Sequence, residues 1–345
     1  MTISDPTMTD DQAEVVVVDG YVPVLDISGA RSGDPAIRQA VAAAIDTTCR
    51  SSGFLVITGH SVDPELVDHM HEVSLRYFEQ PKEVKQRDAA AVGSPTLRGY
   101  YDAPSYVSTS EGIETPPDIC ELYTMCRLGE PDVAAGAGLG EHLDVYGDPN
   151  VWPADHPEFA EVWHEYYAAL EQLSADLMQL FALGLGLDEH FFDDLIDEHI
   201  TNLVANYYPA IDTDPLPGQY RKGPHSDWGT LTVLYQDDVG GLEVLDRDAD
   251  EWLPVPVVPG AFVVNIGDLM SIWTNDQWRS TKHRVLVPEG ADRAKARVSI
   301  PFFHQPNWGA RIECLPSCTS ADDPPHHDPV ESGAYLLAKV QAAYN

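Results

Sequence analysis

The sequence predicts an α+β protein with a helical N-terminal half and a β-rich C-terminal half. Apolar residues recur at helical spacing in several segments before residue 200, whereas short β-prone runs alternate with Gly and Pro turns from residue 201 onward. Several short strands separated by turn signals indicate an antiparallel sandwich or barrel. The 345 residues, 43% of them hydrophobic, suffice for one large core or for a core with a smaller helical lobe.

The N-terminal half is expected to hold two short strands and several helices. Asp63 and Pro64 are typical of a helix start, since Asp is a good N-cap and Pro suits the first helical position. Gly184 and Gly186 are expected to end the longest helix. The predicted strands cover residues 21–27 and 53–57, and the predicted helices cover residues 34–49, 64 to about 81, 157–183 and 189–197.

The C-terminal half is expected to hold the β-rich core. Its predicted strands cover residues 203–208, 230–236, 242–245, 261–266, 283–287 and 297–304, and a final helix covers residues 332–343. The predicted organisation is a disordered tail (1–18), a helical region (19–200), a β core (201–310) and a C-terminal loop and helix (311–345). These parts are expected to act as one functional domain.

Residues 89–150 are predicted to be a long loop, because they are rich in Gly, Pro, Ser and Asp and show no sustained period. Loops of this length inside a compact protein are usually lids or binding loops. We therefore expect this segment to cover a site.

The net charge and the lack of targeting signals limit the kinds of partner that this protein is expected to bind. The formal net charge of −36 disfavours nucleic acid and anionic membranes, which both require basic patches. No stretch approaches the ~20 apolar residues of a membrane span, and residues 1–14 lack the features of a secretory signal. Together with five scattered cysteines, this predicts a cytoplasmic protein that acts on a small molecule. The excess of acidic residues favours a cationic or neutral substrate. The sequence does not indicate the oligomeric state.

Cys314 and Cys318 are followed closely by His326 and His327. Thiolates with imidazoles suit zinc, so this segment is either a second metal site or a Pro-rich surface loop. The sequence leaves both alternatives open.

The residues that predict chemistry are His225, Asp227 and His283. Side chains two apart on a strand point to the same face, so His225 and Asp227 can share one side of a metal. Two imidazoles and a carboxylate are the ligands of a non-haem iron(II) centre with open positions. Ligand type alone also permits manganese or zinc.

Arg297 and Ser299 follow the last candidate ligand and share one face of a predicted strand with Phe303. A guanidinium can form a bidentate pair with a carboxylate, and a hydroxyl can add a third hydrogen bond. The pair therefore predicts a carboxylate-binding site beside the metal.

These motifs resemble those of the isopenicillin N synthase-like, iron(II)/2-oxoglutarate-dependent oxygenases. The resemblance is dense between residues 203 and 306 and looser in the N-terminal half. It rests on residues 206–209, 223–234, 236–244, 259–268, 283–285 and 297–303, and more loosely on 22–26, 53–54 and 98–100.

The resemblance implies a double-stranded β-helix, or jelly-roll, core flanked by helices from the N-terminal half. It implies iron(II) bound by His225, Asp227 and His283, and the distal carboxylate of 2-oxoglutarate bound by Arg297 and Ser299. Tyr208 would be a third partner of that carboxylate, and Asn206 would contact the co-substrate near the metal. The implied reaction consumes dioxygen and 2-oxoglutarate, releases succinate and carbon dioxide, and hydroxylates or desaturates an organic substrate, as in specialised metabolism.

An aromatic pocket is expected around the metal, although aromatic side chains fill cores more often than they line sites. The candidates are Tyr100, Tyr101, Tyr106, Trp228, Trp273 and Phe303. Three rival readings remain: an iron oxidase or cyclase of the isopenicillin N synthase type that uses no 2-oxoglutarate, a binding protein with a vestigial site, and a metal-dependent hydrolase that uses Asp237 or Asp238 as base.

Overall fold

The computed structural model describes residues 17–18, 20–89, 98–102, 116–142 and 146–344. The first half supplies most of the helices. The helices are α1 (Pro35–Ser51), α2 (Pro64–Phe78), α3 (Lys82–Lys85), α4 (Pro131–Gly136), α5 (Pro157–Gly184), α6 (Asp193–Ile196), α7 (Asp268–Trp273) and α8 (Ser332–Tyr344). Each described helix is too short or too polar to cross a lipid bilayer.

The strands concentrate in the second half but begin in the first. They are β1 (Val17–Val18), β2 (Val24–Asp26), β3 (Phe54–Thr58), β4 (Gly99–Tyr101), β5 (Glu121–Cys126), β6 (Asn202–Tyr208), β7 (Lys222–His225), β8 (Leu231–Gln236), β9 (Leu242–Asp246), β10 (Glu251–Pro254), β11 (Phe262–Ile266), β12 (His283–Val285), β13 (Arg297–His304), β14 (Arg311–Ile312) and β15 (Val330–Glu331).

Two sheets form the core, as expected for a jelly roll flanked by helices. The larger has nine strands in the order β1-β2-β3-β11-β8-β13-β6-β5-β4, and the smaller has the order β10-β9-β12-β7. All pairings are antiparallel except that of β2 with β3. The large sheet therefore extends beyond residues 201–310 and includes strands from the N-terminal half.

Helix starts follow the predicted capping chemistry. The Asp34 carboxylate accepts a hydrogen bond from the Ala36 amide at 2.8 Å, and Asp63 accepts one from the Glu65 amide at 2.9 Å. Each bond satisfies an amide that has no partner within its helix. The long helix α5 buries one apolar stripe in the main hydrophobic core, with Trp163 and Leu170 fully covered.

Two predicted elements were wrong in extent. The segment 89–150 is not loop throughout, because β5 runs through it and pairs with β6 over six residues. Five of the six side chains of β5 are buried, so this strand lacks the polar alternation that would have shown it in the sequence. The helix predicted over residues 189–197 is limited to the short α6.

Candidate metal centre and active-site cavity

The two sheets bring His225, Asp227 and His283 together. His225 ends β7 and lies directly opposite His283, the first residue of β12, and the two ring centroids are 4.2 Å apart. Asp227 follows two residues later, and its Oδ1 lies 3.9 Å from Nε2 of His225 and 3.6 Å from Nε2 of His283. Three ligand atoms therefore face one point from one side, which leaves the other side open.

Backbone carbonyls fix the tautomer of both histidines. Nδ1 of His225 lies 2.8 Å from the Gly223 carbonyl oxygen, and Nδ1 of His283 lies 3.2 Å from that of Thr281. Because a carbonyl oxygen only accepts, each Nδ1 carries the proton and donates it. Each Nε2 is then left with its lone pair toward Asp227, as metal coordination requires.

The Asp227 carboxylate is oriented by two neutral donors. Its Oδ2 accepts hydrogen bonds from the Thr232 hydroxyl at 2.5 Å and from the Asn265 side-chain amide at 2.8 Å. The other oxygen, Oδ1, faces His225 and His283. Two close glycine contacts hold the turn after Asp227, since a Cβ on Gly229 would lie 2.2 Å from the His304 carbonyl oxygen and one on Gly267 would lie 2.2 Å from that of Gly229.

Protonation states suit a metal ligand set. Burial and, to a lesser extent, the neighbouring His283 lower the pKa of His225 to about 3. Burial alone would raise the pKa of Asp227, but His283, His225 and its two hydrogen-bond donors bring it below the usual value. At neutral pH the site thus offers a neutral imidazole from His225 and a carboxylate from Asp227.

The donor set fits iron(II) and does not fit a closed structural zinc site, which prefers four ligands rich in thiolate. Within the described ranges, this is the one group of three or more ligand side chains that converge. His326 and His327 instead hydrogen bond to the Asp276 carboxylate at 2.9 Å, and His326 also bonds to Asp323 at 2.9 Å. Cys314 lines the same small pocket as these two histidines, but among the described residues the cysteines and histidines do not converge as a group of metal ligands.

Arg297 lies in the same cavity and is prepared for an anion. Its side chain is fully buried, and its Nε, Nη1 and Nη2 all lack a hydrogen-bond partner. The nearest carboxylate is that of Asp237, whose Oδ1 is 3.9 Å from Nε. A buried guanidinium without partners is costly, so an absent anionic ligand is the simplest account of this arrangement.

Polar groups frame the guanidinium on β6 and β13. Arg297 is paired with Tyr208 and Ser299 with Asn206 in the sheet. The Arg297 guanidinium carbon lies 5.1 Å from the centre of the Tyr208 ring, and Ser299 hydrogen bonds to Tyr208. Burial raises the pKa of Tyr208 to about 12, so its hydroxyl stays protonated at neutral pH. All four side chains line the cavity.

The aromatic pocket predicted from sequence is only partly present. Trp228 and Phe303 line the cavity. Tyr100 and Trp273 do not: both are buried in the main hydrophobic core, where Trp273 packs against Phe192 at 5.0 Å. Tyr101 is also absent from the cavity wall, and its hydroxyl accepts a hydrogen bond from the Arg98 amide. Tyr106 lies outside the described residues.

Several cavity residues were not anticipated. Asn265 orients Asp227, and a lone Asn in the apolar run of β11 was a usable signal. Thr232 carried no such signal. Others that line the cavity are Arg98, Thr124, Tyr146, Asn202 and Gln305. Their strands and loops are brought together by the fold, and sequence spacing does not show it.

Comparison with known proteins agrees with this geometry. Residues 200–306 match the 2OG-Fe(II) oxygenase superfamily, and residues 22–155 match the N-terminal family described for a non-haem dioxygenase in morphine synthesis. The 2-oxoglutarate-Fe(II) type oxidoreductase hxnY of Emericella nidulans is 34% identical over 89% of this chain and 86% of its own. The chain belongs to the 2-oxoglutarate/iron(II)-dependent oxygenase family.

Relatives of this oxygenase are diverse. Validamycin A dioxygenase of Streptomyces hygroscopicus is 34% identical over 82% of this chain and 76% of its own. Neurospora crassa T7H, solved in complex with alpha-KG and thymine, superposes with a TM-score of 0.82 at 29% identity and covers 96% of this chain and all of its own. The oxygenase is therefore an oxidoreductase whose cofactor is iron(II) and whose co-substrate is 2-oxoglutarate.

Proposed function

We propose that this oxygenase hydroxylates or desaturates a small organic molecule, with iron bound by His225, Asp227 and His283. The distal carboxylate of 2-oxoglutarate is held by Arg297 and Ser299, with Tyr208 as a third donor. The observation that supports this most is the Arg297 guanidinium, which is fully buried without a hydrogen-bond partner in the cavity that also contains the three ligands.

When bound, iron(II) with 2-oxoglutarate and dioxygen supplies the oxidising power, and succinate and carbon dioxide are the co-products. The protein's own residues bind, orient and exclude water. Thr232 and Asn265 hold the Asp227 carboxylate in one orientation, and Arg297 fixes one end of the co-substrate through a charge-assisted, potentially bidentate pair. Asn206 lies beside Ser299 and is placed to contact the co-substrate nearer the metal.

A small-molecule substrate agrees with the cavity and with the relatives. The cavity lies between the two sheets, and apolar side chains make up much of its wall. Neurospora crassa T7H has been solved with thymine and with 5-formyluracil, and another solved relative was in complex with JA. These names indicate compact organic substrates and leave the identity of the substrate here to experiment.

An anaerobic titration tests the assignment. Apo protein receives iron(II) and then 2-oxoglutarate, while absorbance is followed for the weak visible charge-transfer band of the chelate. We expect the band only when both are present, and His225→Ala and Asp227→Ala should abolish it by removing one of three ligands. Iron binding without a band would instead favour a 2-oxoglutarate-independent oxidase, in which Arg297 and Ser299 bind the substrate.

Arg297 variants test the carboxylate site separately from the metal. Arg297→Leu should weaken 2-oxoglutarate binding by about 100-fold or more, because the loss of a charged hydrogen-bonded partner in a buried site costs about 3 kcal/mol. Arg297→Lys should recover only part of it, since lysine cannot form the bidentate pair. Iron affinity in the absence of 2-oxoglutarate should be unchanged, and Arg284→Ala, at an ion pair with Glu243, serves as control. An unaltered 2-oxoglutarate affinity in Arg297→Leu would remove Arg297 from the site.

A further inference from the structure

The cavity extends from Arg297 along β13 to the end of that strand. Residues of the same parity on β13 line it from Arg297 to Gln305, just beyond the strand end. Eight residues of extended chain span roughly 26 Å. Gln305 therefore marks an end of the cavity that is remote from the predicted carboxylate site of 2-oxoglutarate.

Three buried polar side chains of the cavity wall lack hydrogen-bond partners. They are Thr124, Tyr146 and Gln305, whose exposed fractions are 1%, 5% and 4%. The Thr124 hydroxyl, the Tyr146 hydroxyl and the Gln305 Oε1 have no hydrogen-bond partner. Arg297 shows the same combination of burial and missing partners at the co-substrate end. Buried polar groups in native proteins are normally paired, so these three point to a ligand with polar atoms of its own.

The charge of the cavity wall indicates the sign of that ligand. Arg98, Lys222 and Arg297 all line the cavity. Among its described lining residues, Asp227 is the one carboxylate, and that group belongs to the predicted metal site. Among the described lining residues, no carboxylate outside the predicted metal site is placed to pair with a cationic group of a substrate. The cavity thus disfavours the cationic alternative that the acidic composition of the whole chain suggested.

Arg98 and Tyr146 form one unit in the cavity wall. The Arg98 Nη2 donates to the Tyr146 carbonyl oxygen at 3.1 Å, which fixes the two residues beside each other. Burial raises the pKa of Tyr146, so its hydroxyl is a proton donor at neutral pH. A hydroxyl donor and a guanidinium in the same cavity wall favour an oxygen acceptor on the substrate.

Apolar side chains complete the cavity wall. Leu128 and Ile200 come from the core, and Leu336 and Val340 come from one face of α8. The neighbouring face of α8 is held by Asp268, which accepts hydrogen bonds from Tyr335 at 3.1 Å and Lys339 at 2.8 Å. The wall is therefore part of a fixed element, and it suits an apolar body.

We propose that the substrate of this oxygenase is a neutral or anionic molecule with an apolar body and a terminal carbonyl or carboxylate group that accepts a hydrogen bond from Tyr146, with Thr124 and Arg98 in the same cavity wall. The inference rests on the proposed function, because it takes the metal and Arg297 as the fixed reference points of the cavity. Tyr146 would then be the residue that selects substrates by the chemistry of their terminal group.

The test uses three probes that share a benzyl group and differ at one end: phenylacetate, phenylacetamide and phenethylamine. Each is titrated anaerobically by calorimetry into enzyme loaded with iron(II) and 2-oxoglutarate, after the visible band has been recorded. We expect phenylacetate or phenylacetamide to bind at least tenfold more tightly than phenethylamine. A preference for the carboxylate over the amide would identify an anionic group, and the reverse order would identify a neutral carbonyl.

Two variants test whether Tyr146 determines which of the probes binds more tightly. Tyr146→Phe should weaken the preferred probe by about tenfold and leave the visible band intact. Tyr166→Phe is the matched control, because its hydroxyl is also buried and unpartnered but does not line the cavity. Equal or tighter binding of phenethylamine, no detectable binding of either oxygen-bearing probe, or equal effects of the two variants would overturn the inference. Absence of the band itself would overturn the proposed function instead, so the two failures are distinguishable.

Discussion

The Asp227 carboxylate has its two oxygens assigned to different tasks. Oδ2 is held by the Thr232 hydroxyl and the Asn265 amide, and Oδ1 faces the two histidines. Groups that hold a metal ligand in place commonly contribute ten- to hundredfold to metal affinity. Thr232 and Asn265 are therefore positioning residues, and they act on the metal through Asp227.

Thr232→Val removes one of these donors and keeps the side-chain shape. We expect iron(II) affinity to fall by about tenfold or more, because the carboxylate loses a hydrogen bond and one constraint on its rotation. The measurement is anaerobic competition with a coloured iron(II) chelator. Thr281→Val is the control, since the Thr281 hydroxyl is buried, close to the site and without a partner. Equal iron affinities in the two variants would refute the positioning role.

At the scale of single residues, the sequence predicted side-chain positions correctly where alternation along one strand determines which face each side chain occupies. Arg297, Ser299 and Phe303 were placed on one strand face, and all three line the cavity. The sequence did not predict side-chain positions where a site is formed by chain segments that come together only on folding. Tyr100 and Trp273 are aromatic and close to motifs, yet they face the core, and nothing in their spacing distinguishes a core ring from a pocket ring.

At the scale of elements, the long amphipathic helices and the central strands of the second half were predicted to within a few residues, whereas β4, β5, β7 and β10 were not predicted. The start of α2 followed from Asp63 and Pro64, since capping is a local interaction. Strand β5 was missed, because a strand buried on both faces shows no alternation. The same applies to its position beside β6, which depends on pairing between residues distant in sequence.

The loop between β14 and β15 is held to the end of α7 by histidine–carboxylate pairs. His326 bonds to Asp276 and Asp323, His327 bonds to Asp276, and the His326 amide donates to the Asn275 side chain at 2.8 Å. The hydrogen bonds to Asp276 and Asp323 raise the pKa of His326. Burial opposes the effect at Asp276, but hydrogen bonds from His327 and His326 lower the pKa of its carboxyl.

The sign of the pH dependence follows from these shifts. A raised histidine pKa contributes stability that is complete below the ordinary value of 6.5 and is lost as pH rises through the raised value. A lowered carboxyl pKa contributes stability that is present above 3.8 and is lost as pH falls through the lowered value. The loop should therefore be held most firmly between these two limits.

Hydrogen exchange over residues 319–329 checks this behaviour. After correction for intrinsic rates, protection of the His326 amide should be lower at pH 9 than at pH 6. His326→Gln should reduce protection at pH 6 and abolish the difference between the two pH values. His190→Gln is the control, because His190 forms a comparable exposed pair with Asp193 elsewhere. A wild-type loop with equal protection at both pH values would contradict the role of the pairs.

At the scale of the whole molecule, the net charge of −36 acts on stability separately from the site. An excess of like charge destabilises the compact state through self-repulsion, and salt screens it, since the Debye length falls from about 30 Å at 0.01 M to about 8 Å at 0.15 M. The described lining residues of the cavity carry the opposite balance, with Arg98, Lys222 and Arg297 against Asp227. Surface charge and site charge are therefore independent properties of this chain.

Sodium chloride should accordingly raise the melting temperature of the apo protein. If screening removes about 2 kcal/mol of repulsion, the rise is about 3 °C for a chain of 345 residues. Most of it should occur below about 0.2 M, where the Debye length changes most. Scanning calorimetry at 0.01, 0.05, 0.15 and 0.5 M salt measures the curve, and sucrose at matched osmolality controls for solute exclusion from the surface. If the melting temperature stays constant up to 0.15 M and then rises in proportion to salt, the stabilisation comes from solute exclusion. If the melting temperature falls with salt, surface ion pairs contribute more than the repulsion.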